Sequence, residues 1–265
     1  MRLLSTPIHV SSIIVVKLLF SLFFNLVVFA RGWLVPLAAA TWYFVQPGLI
    51  AYAVQIPVIL YLIHRRIAWK AVGLDACYLR CGTTVTLGIW ILLQLIGVVF
   101  FGPGIDQSLL SRGWTRLAGV QLANLLNVFL EEVLFRGFLF MQLYWSLPWK
   151  RMRLPAALLV SQAIFALMHV PHRVAVGVSA GNIVMEQGML LGIGVLYALI
   201  YLRTKNIFIA MGIHLLANLP IALFMPQGLA TQIVYVIGVL VLAGTSLRAK
   251  VSAERCQSTV KRTLS

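Results

Sequence analysis

The segment 127–140, NVFLEEVLFRGFLF, sets two of the chain's six acidic residues, Glu131 and Glu132, beside one another in a run otherwise dominated by Val, Leu and Phe. Ionisable side chains cost about 2.5 to 3.5 kcal/mol each at the centre of a membrane helix, so they persist where they are paired, wetted or used. Glu132 and Arg136 stand four residues apart with the acid on the N-terminal side, the favoured order for an ion pair on one helical face. Glu131 is turned about 100° from Glu132 and has no cation in reach on its own helix. An acid in low dielectric without a cation can take up and release a proton, whereas one held by Arg stays ionised and makes a poor base. Asn127 and Asn124, four and seven residues before Glu131, lie on nearly the same stripe and give that face a polar seam. For the two asparagines alone, interhelical hydrogen bonding is the simplest role.

Two other apolar segments carry polar groups of the same kind. In SQAIFALMHVPH, residues 161–172, His169 follows Phe165 by one turn and Pro171 is expected to close the helix, while His172 reads as structural or interfacial. In MGIHLLANLP, residues 211–220, His214 and Asn218 share a helical face before Pro220. An acid, two imidazoles and an amide from three spans can bind a metal, or can activate water and stabilise an oxyanion. Glu186, near the start of another span, reads more readily as a solvated helix end than as a gate or substrate contact.

The elements that must carry these groups follow from composition. Aliphatic, aromatic and Cys residues make up 61% of the 265 positions and charged residues 10%, more apolar surface than a soluble core of this size uses. The apolar stretches are continuous, which implies helices rather than a barrel. Eight spans are expected at about 9–30, 33–63, 83–101, 117–145, 154–170, 182–202, 206–224 and 229–247, within a single integral membrane domain covering 1–265. The second contains Pro36, Pro47-Gly48 and Pro57, which either kink one helix or divide it. Arg2, the apolar run after it and VFA before Arg31 resemble a signal peptide, but the run is too long and contains Lys17, so an uncleaved first span is expected.

The net charge of +15 would suggest nucleic acid in a soluble protein, yet the basic residues fall in short gaps between spans, so no nucleic-acid partner is expected. With both termini cytoplasmic, fifteen of the twenty-one Lys and Arg lie inside and Arg31, Arg112, Arg116 and Arg173 outside, the asymmetry that the positive-inside rule demands. An odd number of spans would destroy it. RRIAWKAVGLDACYLRCG, after the second span, has the basic and aromatic character of an interfacial loop. Cys77, Cys81 and Cys256 all fall on the side read as cytoplasmic, so neither a disulfide framework nor a zinc site is expected from them. Residues 248–265 form a basic tail without a core, expected to be flexible. No fixed-period repeat or inverted symmetry is visible, which counts against common transporter folds.

Taken in order, EEVLFR, FALMH and HLLAN resemble the EExxxR, FxxxH and HxxxN motifs of the CAAX-protease and bacteriocin-processing family of intramembrane proteases, which includes the type II CAAX prenyl proteases. The resemblance covers about residues 117–224, and RTKNIFIAMGIHLLAN also looks like that family's approach to its last motif. It implies a peptide-bond hydrolase in which Glu131 and His169 polarise the attacking water, His214 and Asn218 stabilise the oxyanion, and Glu132, Arg136 and Phe165 support them. It further implies a multi-pass protein of a bacterial inner (plasma) membrane whose partners are membrane lipids and a membrane-embedded or lipidated protein or peptide. The family has been described both as glutamate-type and as metal-dependent. Glu131, His169 and His214 could ligate zinc, but HExxH is absent, so the metal-free mechanism is preferred with zinc as the alternative cofactor.

Two other classes use the same residues. A proton-coupled transporter would employ them as a relay, and flux without proteolysis, lost on Glu131→Gln but not on Glu132→Gln, would mark it. A non-catalytic immunity or scaffold protein would keep the fold and bind a partner, against which the intact constellation speaks.

Overall fold

The chain is all-helical in a computed structural model that describes residues 7–64, 69–148 and 150–244, and no strand occurs among them. The tail expected at 248–265 lies outside the described residues, as do Arg65 and Arg66 of the interfacial segment. Helix α1, Pro7–Leu22, runs on through a π-helical stretch, Phe23–Phe29, and is followed by α2, Val35–Ala40, and α3, Pro47–His64. A single 3-10 turn, Trp69–Val72, leads to α4, Ala76–Phe101, and α5, Gln107–Leu110. Next come α6, Trp114–Glu131, a second π-helical stretch, Glu132–Leu139, and α7, Phe140–Ser146, as one unbroken rod. Then follow α8, Arg153–Leu167, α9, Val170–Ala175, α10, Ala180–Thr204, α11, Ile207–Asn218, and α12, Gln227–Gly244.

Seven of the described helical stretches are long and apolar enough to cross a membrane, and α11 is a shorter apolar helix beside them. Many of their apolar side chains point outward, among them Val99, Phe100 and Val184 at 74, 76 and 73% exposure, which suits a lipid solvent rather than water.

Three expected boundaries move, each for a local reason. The span expected at 33–63 divides, because Trp42 and Tyr43 take left-handed backbone (φ 53° and 59°) and the Thr41 hydroxyl bonds back to the Leu37 and Ala38 carbonyls. The crossing helix is therefore α3, which starts at Pro47, where the missing N–H is harmless, and accommodates Pro57 internally. The third span begins earlier than 83, since the Asp75 carboxylate accepts from the Cys77 N–H and caps α4. The seventh, expected at 206–224, is helical only over Ile207–Asn218, about 18 Å of rise.

The irregular chain beyond α11 is held by side chains. Trp90 Nε1 donates to the Ile221 carbonyl (3.2 Å), Leu223 N–H donates to Gln94 Oε1 (2.8 Å), and Gln227 both accepts from Ala222 N–H and donates to the Ala222 carbonyl. Non-helical backbone at membrane depth survives only with such partners.

Cys81 is a free thiol, and Cys256 lies outside the described residues.

The described residues of Met1–Val72 and Ile105–Val195 form one compact unit, and those of Gly73–Gly104 and Leu196–Ser265 a second. In the first, α3 and α6 run parallel at close range. A Cβ on Gly119 would strike the Phe44 carbonyl, and one on Gly48 would reach the Ala123 Cβ at 3.9 Å. In the second, α4 lies parallel to α11, with Gly82 facing Phe208 and Gly212 facing Thr86 so tightly that neither glycine has room for a side chain. Small residues at such contacts replace the hydrophobic driving force that lipid does not supply. Helix α12 returns antiparallel to α11, the Thr231 hydroxyl donating to the Ala217 carbonyl (3.1 Å) while Gly238 faces Ile213.

Candidate active site

The rod 114–146 changes hydrogen-bond register at the acidic pair: Glu131 ends α6 and Glu132 begins the π-helical turns. All eight residues of Glu132–Leu139 are buried, so packing from every side, not amphipathicity, holds the wider turn. Such π-segments recur at functional sites. Glu132 and Arg136 form the expected i,i+4 ion pair, 3.1 Å between Arg136 Nη1 and Glu132 Oε1, with both side chains at 0% exposure. A pair so placed is a constraint more than a source of stability, because desolvating both charges offsets much of their attraction.

Glu131 faces elsewhere, and its Oε1 lies 3.7 Å from His169 Nε2. His169 sits in the turn between α8 and α9. Pro171 occupies the first turn of α9 rather than simply ending α8, so the chain re-enters a helix beyond the histidine. The ring is fixed from two sides. His169 Nδ1 lies 2.9 Å from the Phe165 carbonyl, which can only accept, so Nδ1 carries a proton and Nε2 is the nitrogen presented to Glu131. The Phe165 ring meets the imidazole edge-on at 4.9 Å, and the Arg136 guanidinium covers that same ring at 4.2 Å from its centroid. Phe135 abuts it at 5.3 Å.

Glu132, Arg136, Phe165 and His169 thus form one contact chain that returns to Glu131. Its members come from the π-stretch, α8 and the turn after it, and Phe165 transmits the position of the ion pair to the imidazole. A carboxylate oxygen and an imidazole nitrogen facing each other across 3.7 Å are too far apart for a direct hydrogen bond. They are suitably placed to accept both protons of one water, leaving its lone pairs free to attack.

In the second unit His214 is buried on α11, its ring stacked on Tyr197 of α10 at 4.5 Å and 24°. Asn218, the last residue of α11, is exposed. Three other polar residues singled out by sequence have partners. Asn124 Nδ2 donates to Gln121 Oε1 on its own helix (3.4 Å), and His172 Nδ1 donates to Asn25 Oδ1 (2.9 Å), tying α9 to the first π-stretch. Glu186 is paired with Arg173 at 2.7 Å, each about one-third exposed.

Among the described residues, no three His, Cys, Asp or Glu side chains gather where they could hold a metal ion. A resident zinc is therefore not supported, and no step below is routed through one.

Several contributors escaped the sequence reading. Gly194 of α10 lets that helix approach α8, since a Cβ there would come 2.9 Å from Gln162 Oε1 and 3.1 Å from Phe165 Cδ1. Lys17, counted in sequence only for topology, is buried and donates to Gln55 Oε1 at 2.7 Å. Glu131 is within Coulombic reach of both Lys17 and Tyr52. A lone lysine in the middle of an apolar span is the same signal that drew attention to Glu131 and His169. Gly194 and Tyr197 carry no such signal, being one small and one aromatic residue in an apolar run.

The helices and the site define a multi-pass membrane protein with a buried acid facing a partly buried imidazole. Residues 112–220 match the family model described as Type II CAAX prenyl endopeptidase Rce1-like, the family that the three motifs resemble. No curated protein and no solved structure matches the chain.

Proposed function

We propose that the protein is an intramembrane endopeptidase that hydrolyses a peptide bond of a membrane-embedded or lipidated protein or peptide by a metal-free, glutamate-type mechanism. The observation that carries this reading is the 3.7 Å opposition of Glu131 Oε1 and His169 Nε2, with the imidazole locked by the Phe165 carbonyl. Water between them is polarised as Glu131 accepts its proton, the hydroxide attacks the scissile carbonyl, and the proton passes to the leaving amine. His214 and Asn218, assigned by the family motif, donate to the oxyanion. Glu132 and Arg136 hold the helix that presents Glu131.

The topology belongs to the same proposal. The short α11 together with the side-chain-held stretch after it completes an eighth crossing, α12 returns, and both termini face the cytoplasm in a bacterial inner membrane. The lipid-exposed helices admit substrate from the bilayer, which suits a lipid anchor on the substrate.

The test is cleavage of a farnesylated peptide ending in Cys-aliphatic-aliphatic-X by purified protein in mixed micelles. Release of the C-terminal fragment is expected from the native protein and loss of about a hundredfold or more in kcat for Glu131→Gln and for His169→Ala. Cleavage that persists unchanged in both variants would falsify the reading. Chelation with 1,10-phenanthroline is expected to leave the rate unchanged, whereas loss of activity restored by added zinc would overturn the metal-free mechanism.

A further inference from the structure

Lys17 stands in the middle of α1, at 7% exposure, in a span that contains no acid. An ammonium in that setting is retained where an opposite charge or a wet cavity compensates it. Its two local partners are neutral: Gln55 Oε1 accepts from Nζ at 2.7 Å, and the Tyr52 ring centroid lies 5.9 Å away. Both belong to α3, the helix packed along α6.

The register of those two helices brings the acid to the same depth. Phe44 lies against Gly119 and Gly48 against Ala123, with the two chains running in the same direction. Continued at the same rise in both helices, this register sets Tyr52 level with Asn127 and Ile56 level with Glu131, one residue from Gln55. Of the described acids, Glu132 is engaged by Arg136, Glu186 by Arg173, and Asp75 and Asp106 cap the starts of α4 and α5. Glu131 is the acid whose charge Lys17 and Tyr52 both sense.

We propose that Lys17 is a positioning residue of the site: anchored by Gln55, its ammonium is the countercharge of Glu131 and sets the direction in which that carboxylate meets His169. Lys17 and Gln55 lie outside the three motifs and outside the segment matched to the family model. The catalytic consequence rests on the hydrolase reading, but the charge pairing does not.

Two measurements separate the two. Removing one member of a buried charge pair leaves the other uncompensated, whereas removing both does not. In thermal unfolding of detergent-solubilised protein, Lys17→Met is expected to lower the midpoint by about 5 °C or more, and the Lys17→Met/Glu131→Gln double variant to recover most of that loss. Equal loss in the single and double variants would overturn the pairing. Should Lys17→Met fail to accumulate, recovery of the double variant supports the proposal and failure of both overturns it.

On the farnesylated peptide, Lys17→Met is expected to lose about tenfold or more in kcat with KM within about twofold, and Lys17→Arg to regain most of it. Gln55→Leu, which keeps the charge and frees it from its anchor, should give an intermediate kcat. An unchanged kcat in Lys17→Met overturns the positioning role. If instead Glu131→Gln cleaves like the native protein, the hydrolase reading falls while the thermal coupling still decides whether Lys17 and Glu131 are paired.

Discussion

Glu131 and Glu132 are neighbours in sequence with different surroundings. Glu132 is fully enclosed with Arg136, so Glu132→Gln leaves a guanidinium buried without its carboxylate and is expected to cost about 3 to 5 kcal/mol. Reduced accumulation and reduced activity should therefore appear together, measured by detergent melting and peptide cleavage. Glu131→Gln removes the reacting carboxylate while preserving shape, so activity should vanish beyond the loss of stability that an uncompensated Lys17 causes. Phe165 couples the two sites through its ring and its carbonyl. Phe165→Leu keeps the carbonyl and removes the aromatic face, and a kcat loss exceeding its effect on melting would show that the ring positions His169. A fall in melting temperature alone would reduce Phe165 to a core residue.

At the scale of elements, the close helix contacts depend on absent side chains. Gly212→Ala forces Thr86 out of the position from which its hydroxyl bonds the Gly82 carbonyl, and should destabilise the α4–α11 contact by about 1 to 3 kcal/mol. Gly194→Ala pushes on Phe165 and Gln162 by a smaller margin, so it should lower kcat more than it lowers stability. The stretch after α11 is held in part by the Gln94 amide: Gln94→Leu leaves the Leu223 N–H without its acceptor and weakens the tie to Ile221, at about 1 to 3 kcal/mol in detergent melting.

For the whole molecule, the proposed eight crossings make a checkable statement about sidedness. Ser108→Cys, before α6, should react with a membrane-impermeant maleimide in intact cells, whereas Arg203→Cys, at the end of α10, should react only after permeabilisation. Labelling of both from outside would remove the common cytoplasmic location of the termini. The exposure of Val99, Phe100 and Val184 is then the expected state of a lipid-facing surface, not an unfilled interface.

The sequence alone determined the class of the protein, because continuous apolar runs admit one structural solution in a bilayer and because EEVLFR, FALMH and HLLAN carry costly polar groups that apolar packing does not need. It also determined the Glu132–Arg136 pair, which lies within four residues of one helix and so depends on local geometry. Helix ends were legible where a strong signal was read, and misplaced where one was passed over, as at Asp75, or where left-handed backbone at Trp42 and Tyr43 broke a span that hydrophobicity would continue. Tertiary structure decided what no local pattern contains. The π-helical register of 132–139 is imposed by burial on all sides, and the orientation of His169 comes from a carbonyl one turn back together with a ring pressed by Arg136. The partner of Lys17 lies 38 positions along the chain, and the register of α3 on α6 comes from Gly48 and Gly119. Spacing within one helix is set by its rise and twist, but which faces of separate helices meet is set by shape, and in lipid that shape is written by small residues whose role appears only once their neighbours are in place.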